Sequence, residues 1–135
     1  MASKKILFIS MEMSFLVDAI INNLDEANYE VISCKPDIKV LEDDLRKGDI
    51  VILYLGKMTD ITREALIYIK DGCIEESKSL YLLGSKEEIA EMHSIFPEDM
   101  IQKEFERPIN VKDLIKEFER ELNDNKKRNI LIVDD

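Results

Sequence analysis

The sequence predicts a doubly wound α/β domain, a parallel sheet covered by helices on both faces, and three observations carry that prediction. Ile50-Val51-Ile52-Leu53-Tyr54-Leu55 is an unbroken apolar run between Gly48-Asp49 and Gly56. A strand with one wet face would alternate apolar and polar residues, so this one is expected to be buried on both sides, as the centre of a parallel sheet is. Four further strand-like runs alternate with helical patterns over residues 4–122, and that alternation builds a parallel sheet. Finally, a chain of 135 residues, 45% hydrophobic and 36% charged, suffices for one domain with a full core.

The formal net charge of −10 argues against nucleic acid or an anionic membrane as a direct partner. No apolar run approaches the roughly 20 residues of a membrane span. Met1-Ala2-Ser3-Lys4-Lys5 leads into a strand without a small-residue cleavage site, so no signal peptide is read and a cytoplasmic location is expected. Cys34 and Cys73 are far apart and lack a CxxC partner, which suggests reduced, buried thiols.

Lys4 to Ser10 reads as the first buried strand. Ser14 suits the cap of a helix whose apolar face is Phe15, Leu16, Ala19, Ile20 and Leu24, and Asn28 suits its left-handed close. Tyr29 to Cys34 is a more polar strand, fit for an edge or near-edge position. Pro36-Asp37 opens a helix through Leu41 and Leu45 that Gly48 stops. After the central strand, Thr59 or Asp60 caps a helix carrying Ile61, Ala65, Tyr68 and Ile69, with Gly72 as its end. Leu80 to Leu83 is the fourth strand. Ser85-Lys86-Glu87-Glu88 fits a capping box ahead of Ile89, Met92, His93 and Phe96. A fifth strand spans Ile101 to Glu106, and Asn110 caps a last helix with Val111, Leu114, Ile115, Phe118 and Leu122 on one stripe.

Residues 123–129 form a polar linker, and Ile130-Leu131-Ile132-Val133-Asp134-Asp135 then echoes Ile6-Leu7-Phe8-Ile9-Ser10-Met11. Both runs follow basic residues. The expectation is an internal repeat: one domain over residues 1–122, and at 130–135 the first strand of a second, truncated one.

Ile130 to Asp135 resembles the opening strand and acidic pair of a two-component response-regulator receiver domain. Residues 4–122 share that family's five-fold β/α order. The strand ending at Tyr54, the strand ending at Gly84-Ser85 and the pair Arg107-Pro108 match its landmarks. The resemblance implies a flavodoxin-like topology with strand order 2-1-3-4-5. It also implies an aspartate nucleophile ending the third strand, Mg²⁺ held by that aspartate and the acidic pair, a hydroxyl ending the fourth strand, and a lysine before a proline. Phosphorylation in the family repacks the face made by helix four, strand five and helix five.

Position by position, the first domain departs from that equipment. The acidic pair falls on Ser10 and Met11, with Glu12 just beyond; the phosphoacceptor position falls on Tyr54; the hydroxyl position falls on Gly84, with Ser85 one step late. The lysine becomes Arg107, which keeps the charge and changes its geometry. The switch aromatic falls on Glu104, or on Phe105 with a one-residue slip. Against the family, then, the chain reads as a pseudo-receiver: a regulatory domain of phosphorelay signalling, not an enzyme, with no cofactor and no metal site in residues 1–122. Asp134 and Asp135 would serve the second receiver. Implied partners are that adjacent receiver, a histidine kinase or an output domain, with a homodimer also open.

Several residues have two readings. Tyr54 could be a phosphosite or a mimic of the switched-on state; more simply, it is a partly buried aromatic whose hydroxyl meets Arg107, Ser10 or water. Arg107 could bind an anion, or pair with Glu12 or a backbone carbonyl. Glu12 alone is a poor Mg²⁺ site. His93 reads as solvated or half-packed, and the acidic clusters as solvated helix faces. Met11 and Met13 either line a small apolar pocket or plug the cavity the metal ligands vacate. A flavin or nucleotide enzyme would need a glycine-rich phosphate loop, and Ser10-Met11-Glu12-Met13-Ser14 has none. A small-ligand sensor using a pocket around Tyr54 and Arg107 is the alternative function.

Overall fold

The computed structural model describes residues 5–120 apart from Met13, Asp49, Met58, Ser77, Pro108 and Ile109. The linker at 123–129, the strand expected from Ile130, Leu122, Asp134 and Asp135 lie outside the described residues.

Five parallel strands, β1 (Lys5–Ser10), β2 (Glu30–Cys34), β3 (Ile50–Tyr54), β4 (Ser79–Gly84) and β5 (Ile101–Glu106), form one sheet in the order β2-β1-β3-β4-β5. Helices α1 (Phe15–Glu26), α2 (Ile38–Asp44), α3 (Asp60–Glu76) and α4 (Lys86–Met92) alternate with them, and a fifth, α5, spans 111–120. Every residue of β3 is buried, because this strand has a hydrogen-bonded neighbour on each side and helices on both faces. β2, at the sheet edge, buries fully only Cys34.

Alternation along the strands splits the core in two. Leu7, Ile9, Val51, Leu53, Leu80 and Leu82 face an aliphatic layer closed by α2, α3 and α4. Ile6, Phe8, Ile52, Tyr54, Tyr81 and Leu83 face an aromatic-rich layer closed by α1 and α5. Tyr81 stacks on Phe105, and Phe118 meets Tyr81 edge-on with ring centroids 5.0 Å apart.

Caps follow the local chemistry. Ser14 accepts from the Val17 amide, Asp37 from Lys39, Thr59 from Thr62, and Asn110 from Lys112. Asn28 takes the left-handed conformation at φ 71° after α1. Two expectations are corrected. The face of α1 runs Val17, Ile20, Leu24, and Phe15 is 96% exposed; the Ser14 cap sets the helical phase, and Phe15, in the first turn, points off the buried stripe. Gly72 does not end its helix, since α3 continues to Glu76. A Cβ there would come 2.2 Å from Leu45 Cδ2, so the glycine lets α2 approach α3.

Candidate functional site

The carboxyl ends of β1, β3 and β4 bring the expected positions together. Ser10 lies opposite Tyr54 in the β1–β3 register, and the Met11 amide donates to the Tyr54 carbonyl at 2.9 Å. Gly84 closes β4, where a Cβ would stand 2.8 Å from Leu55 Cβ. The Arg107 amide donates to the Gly84 carbonyl at 2.8 Å, which fixes the residue after β5 beside this rim.

Tyr54 is buried, 2% exposed, with its ring on the aromatic layer beside Phe8. The Arg107 guanidinium lies over that ring, 5.1 Å from its centroid, in cation–π geometry. The phenol meets Ser14 Oγ at 3.3 Å. Ser14 thus takes the place expected of Arg107 or Ser10 beside the phenol, because the loop after β1 returns it to the rim above the ring. Ser10 instead donates its hydroxyl to the Glu12 carbonyl. Met11 packs against the aliphatic layer; Met13 and Pro108 lie outside the described residues.

Arg107 gathers the remaining polar groups. Its Nη2 donates to the Leu55 carbonyl and to Glu88 Oε1, the latter at 2.8 Å. Its Nη1 reaches Glu12 Oε1 at 3.4 Å. Its Nε is buried with no hydrogen-bond partner among the described residues. Glu88 Oε1 also accepts the Ser85 amide at 2.8 Å, while Ser85 Oγ accepts the Glu88 amide. The capping box of α4 and the guanidinium therefore share one carboxylate oxygen. In sequence, Glu88 and Ser14 read as helix-capping residues and carry no mark of this site. Glu88 was legible only as a cap, because its second role is made by a residue 19 positions away.

Chemically this rim carries its own counter-ion. Two carboxylates and a carbonyl face one cation that the chain itself supplies, and the side chain at the third-strand position is a phenol held beneath it. Among the described residues, no group of three His, Cys, Asp or Glu side chains is placed to hold a metal ion.

Along the outer face, Glu104 carries His93 Nε2 on its Oε2 at 2.5 Å, so the end of α4 is tied to β5. Phe105 turns inward onto Tyr81. Lys103 pairs with Glu117 of α5 at 3.2 Å.

Neither a protein-family model nor a curated protein matches the chain. Solved structures do. A protein described as belonging to a novel family of redox sensors in the streptococci, evolved from two-component response regulators, superposes with a TM-score of 0.70 at 15% identity, over 94% of this chain and 54% of that one. The chemotaxis response regulator CheY4 of Vibrio cholerae gives 0.65 at 17% identity, over 88% of this chain and 98% of that one. A response regulator receiver modulated diguanylate cyclase from Pelobacter carbinolicus gives 0.62 at 28% identity, over 93% and 97%. The class defined by the fold is thus the CheY-like, flavodoxin-like receiver architecture. No helix among the described residues is long and apolar enough to cross a membrane.

Proposed function

We propose that this domain is a non-catalytic, receiver-like regulatory module of a response regulator in two-component phosphorelay signalling. It acts through protein–protein contacts and is not phosphorylated on aspartate. One observation carries the reading: the residue at the phosphoacceptor position, Tyr54, is 2% exposed and lies under the Arg107 guanidinium. A phenol cannot form an acyl phosphate, and Arg107 already pairs with the two carboxylates nearest to it.

The partner proposed first is the second receiver beginning at Ile130, where Asp134 and Asp135 provide an acidic pair; a histidine kinase or an output domain would act on that part. The proposed setting is cytoplasmic. The ligand-sensing reading asks Tyr54 and Arg107 to line an open pocket, and the stacked guanidinium weighs against it. A redox role like that named for the streptococcal protein finds little support, since burial pushes the thiols of Cys34 and Cys73 up to about 11, where reactive thiolate is scarce at neutral pH.

The test treats the 135-residue chain with acetyl phosphate, and separately with beryllofluoride, with and without Mg²⁺. The expected result is no covalent adduct and no Mg²⁺-dependent change in melting. A stoichiometric, hydroxylamine-labile phosphate mapped within residues 5–120 overturns the reading.

A further inference from the structure

Helix α3 carries a stripe that the sheet does not use. Ala65, Leu66, Ile69 and Cys73 are buried, but Ile67 is 43% exposed and Ile74 is 56% exposed. They sit seven residues apart, two turns or about 10 Å along the axis. β-Branched residues gain nothing from an exposed helical position, so helix stability alone gives no reason for the pair. Arg63 and Lys70 lie on the same stripe, three or four residues from the isoleucines. Neither makes an ion pair or a side-chain hydrogen bond with the described residues.

Opposite this stripe runs the connection from α4 to β5. Between the two lie a cleft of about 380 Å³, lined by Arg63, Ile67, Lys70, Ser94 and Ile95, and one of about 540 Å³, whose walls include Ile74, Lys78, Pro97 and Met100. Both have α3 as one wall and the α4–β5 connection as the other, and they read as successive segments of one groove. Asp99 is the single acid among the described residues lining either cleft. On a chain of net charge −10, the groove has the opposite sign to its surroundings.

We infer that this groove docks an amphipathic helix of a partner protein, bearing aliphatic residues seven apart over Ile67 and Ile74 and carboxylates against Arg63 and Lys70. A helix laid in an apolar groove is an established mode of recognition, and the unpaired cations select acidic flanks. A second copy of this chain is a poor occupant, because a two-fold pairing of the same groove sets cations against cations. The stripe belongs to different residues from the Tyr54–Arg107 rim, so the inference stands or falls apart from the phosphorylation reading.

The probe is a synthetic helical peptide with leucines seven apart flanked by glutamates, compared with one carrying lysines in place of the glutamates. Each is titrated into the full chain and followed by amide NMR shifts. The glutamate peptide is expected to saturate with shifts confined to α3 and residues 94–100, at least tenfold more tightly than the lysine peptide. The Arg63→Glu/Lys70→Glu variant should reverse that preference, and Ile67→Ser/Ile74→Ser should weaken the glutamate peptide at least tenfold, both with unchanged circular dichroism. Absence of saturable binding, shifts on another face, an unreversed preference, or self-association through the groove each overturns the inference.

Discussion

The rim around Tyr54 and the groove along α3 handle positive charge in opposite ways. At the rim, Arg107 meets Glu12, Glu88 and the Leu55 carbonyl, and is 28% exposed. Along α3, Arg63 and Lys70 have no ionic partner among the described residues and stand beside exposed isoleucines. A partly desolvated cation costs free energy unless carboxylates and carbonyls surround it, and at the rim the chain supplies those partners itself, with Nε of Arg107 alone left without one among the described residues. The groove's cations remain hydrated, and their pairing is left for another molecule. The contrast teaches that at the position which would carry chemistry in a receiver the cation has its ionic partners within the molecule, and a neighbouring helix face is the open one.

The largest way to break the contrast is Tyr54→Asp. The substitution removes a buried ring, the guanidinium stacking and the contact with Ser14, and sets a carboxylate beside Phe8. A loss of about 3–5 kcal/mol is expected in urea unfolding. If the variant matches the parent, the rim is open and wet and the comparison fails.

A second prediction concerns Cys73, which lines the groove from its buried side. Burial is the main cause that raises its thiol to about 11, with nearby Lys78 pulling the other way. The folded state therefore holds a proton that the unfolded chain releases near pH 9. This stability is fully present below pH 9 and is lost as pH rises toward 11, by about 2–3 kcal/mol for a two-unit shift. Cys34 is raised to about 11 for the same reason. Chemical unfolding at several pH values should thus show stability declining across that window. Cys73→Ala should make the slope shallower; an unchanged slope would place the effect elsewhere.

The smallest effect is expected from Arg107→Met, about 1–2 kcal/mol, because the ion pairs it breaks are only partly buried. Glu12 and Glu88 then lose their shared counter-ion. Added Mg²⁺ should recover part of the lost melting temperature in the variant and leave the parent unchanged. Equal responses in the two proteins would show that Arg107 is not the internal cation of the rim.

Much of this architecture is written in local sequence. The continuous apolar run of β3, the caps at Ser14, Asp37, Ser85 and Asn110, and the left-handed Asn28 depend on groups within about four residues of one another, so spacing reveals them. The residues of the rim, Ser10, Met11, Glu12, Tyr54, Gly84, Ser85 and Arg107, were legible as a set through the resemblance to receiver domains, which names the strand ends that meet. What each side chain does there was decided by the tertiary structure. Arg107 reaches Glu12 across 95 positions, and Tyr54 meets Ser14 across 40; only the order β2-β1-β3-β4-β5 makes them neighbours. Gly72 reads locally as a helix end and is in fact a point of contact with Leu45. The apolar positions of α1 and α3 are visible in sequence, but which of them face the sheet is set by the phase at which each helix packs. Phe15, Ile67 and Ile74 stay in water because the sheet surface, two-sided and finite, is already covered by their neighbours on the same helices.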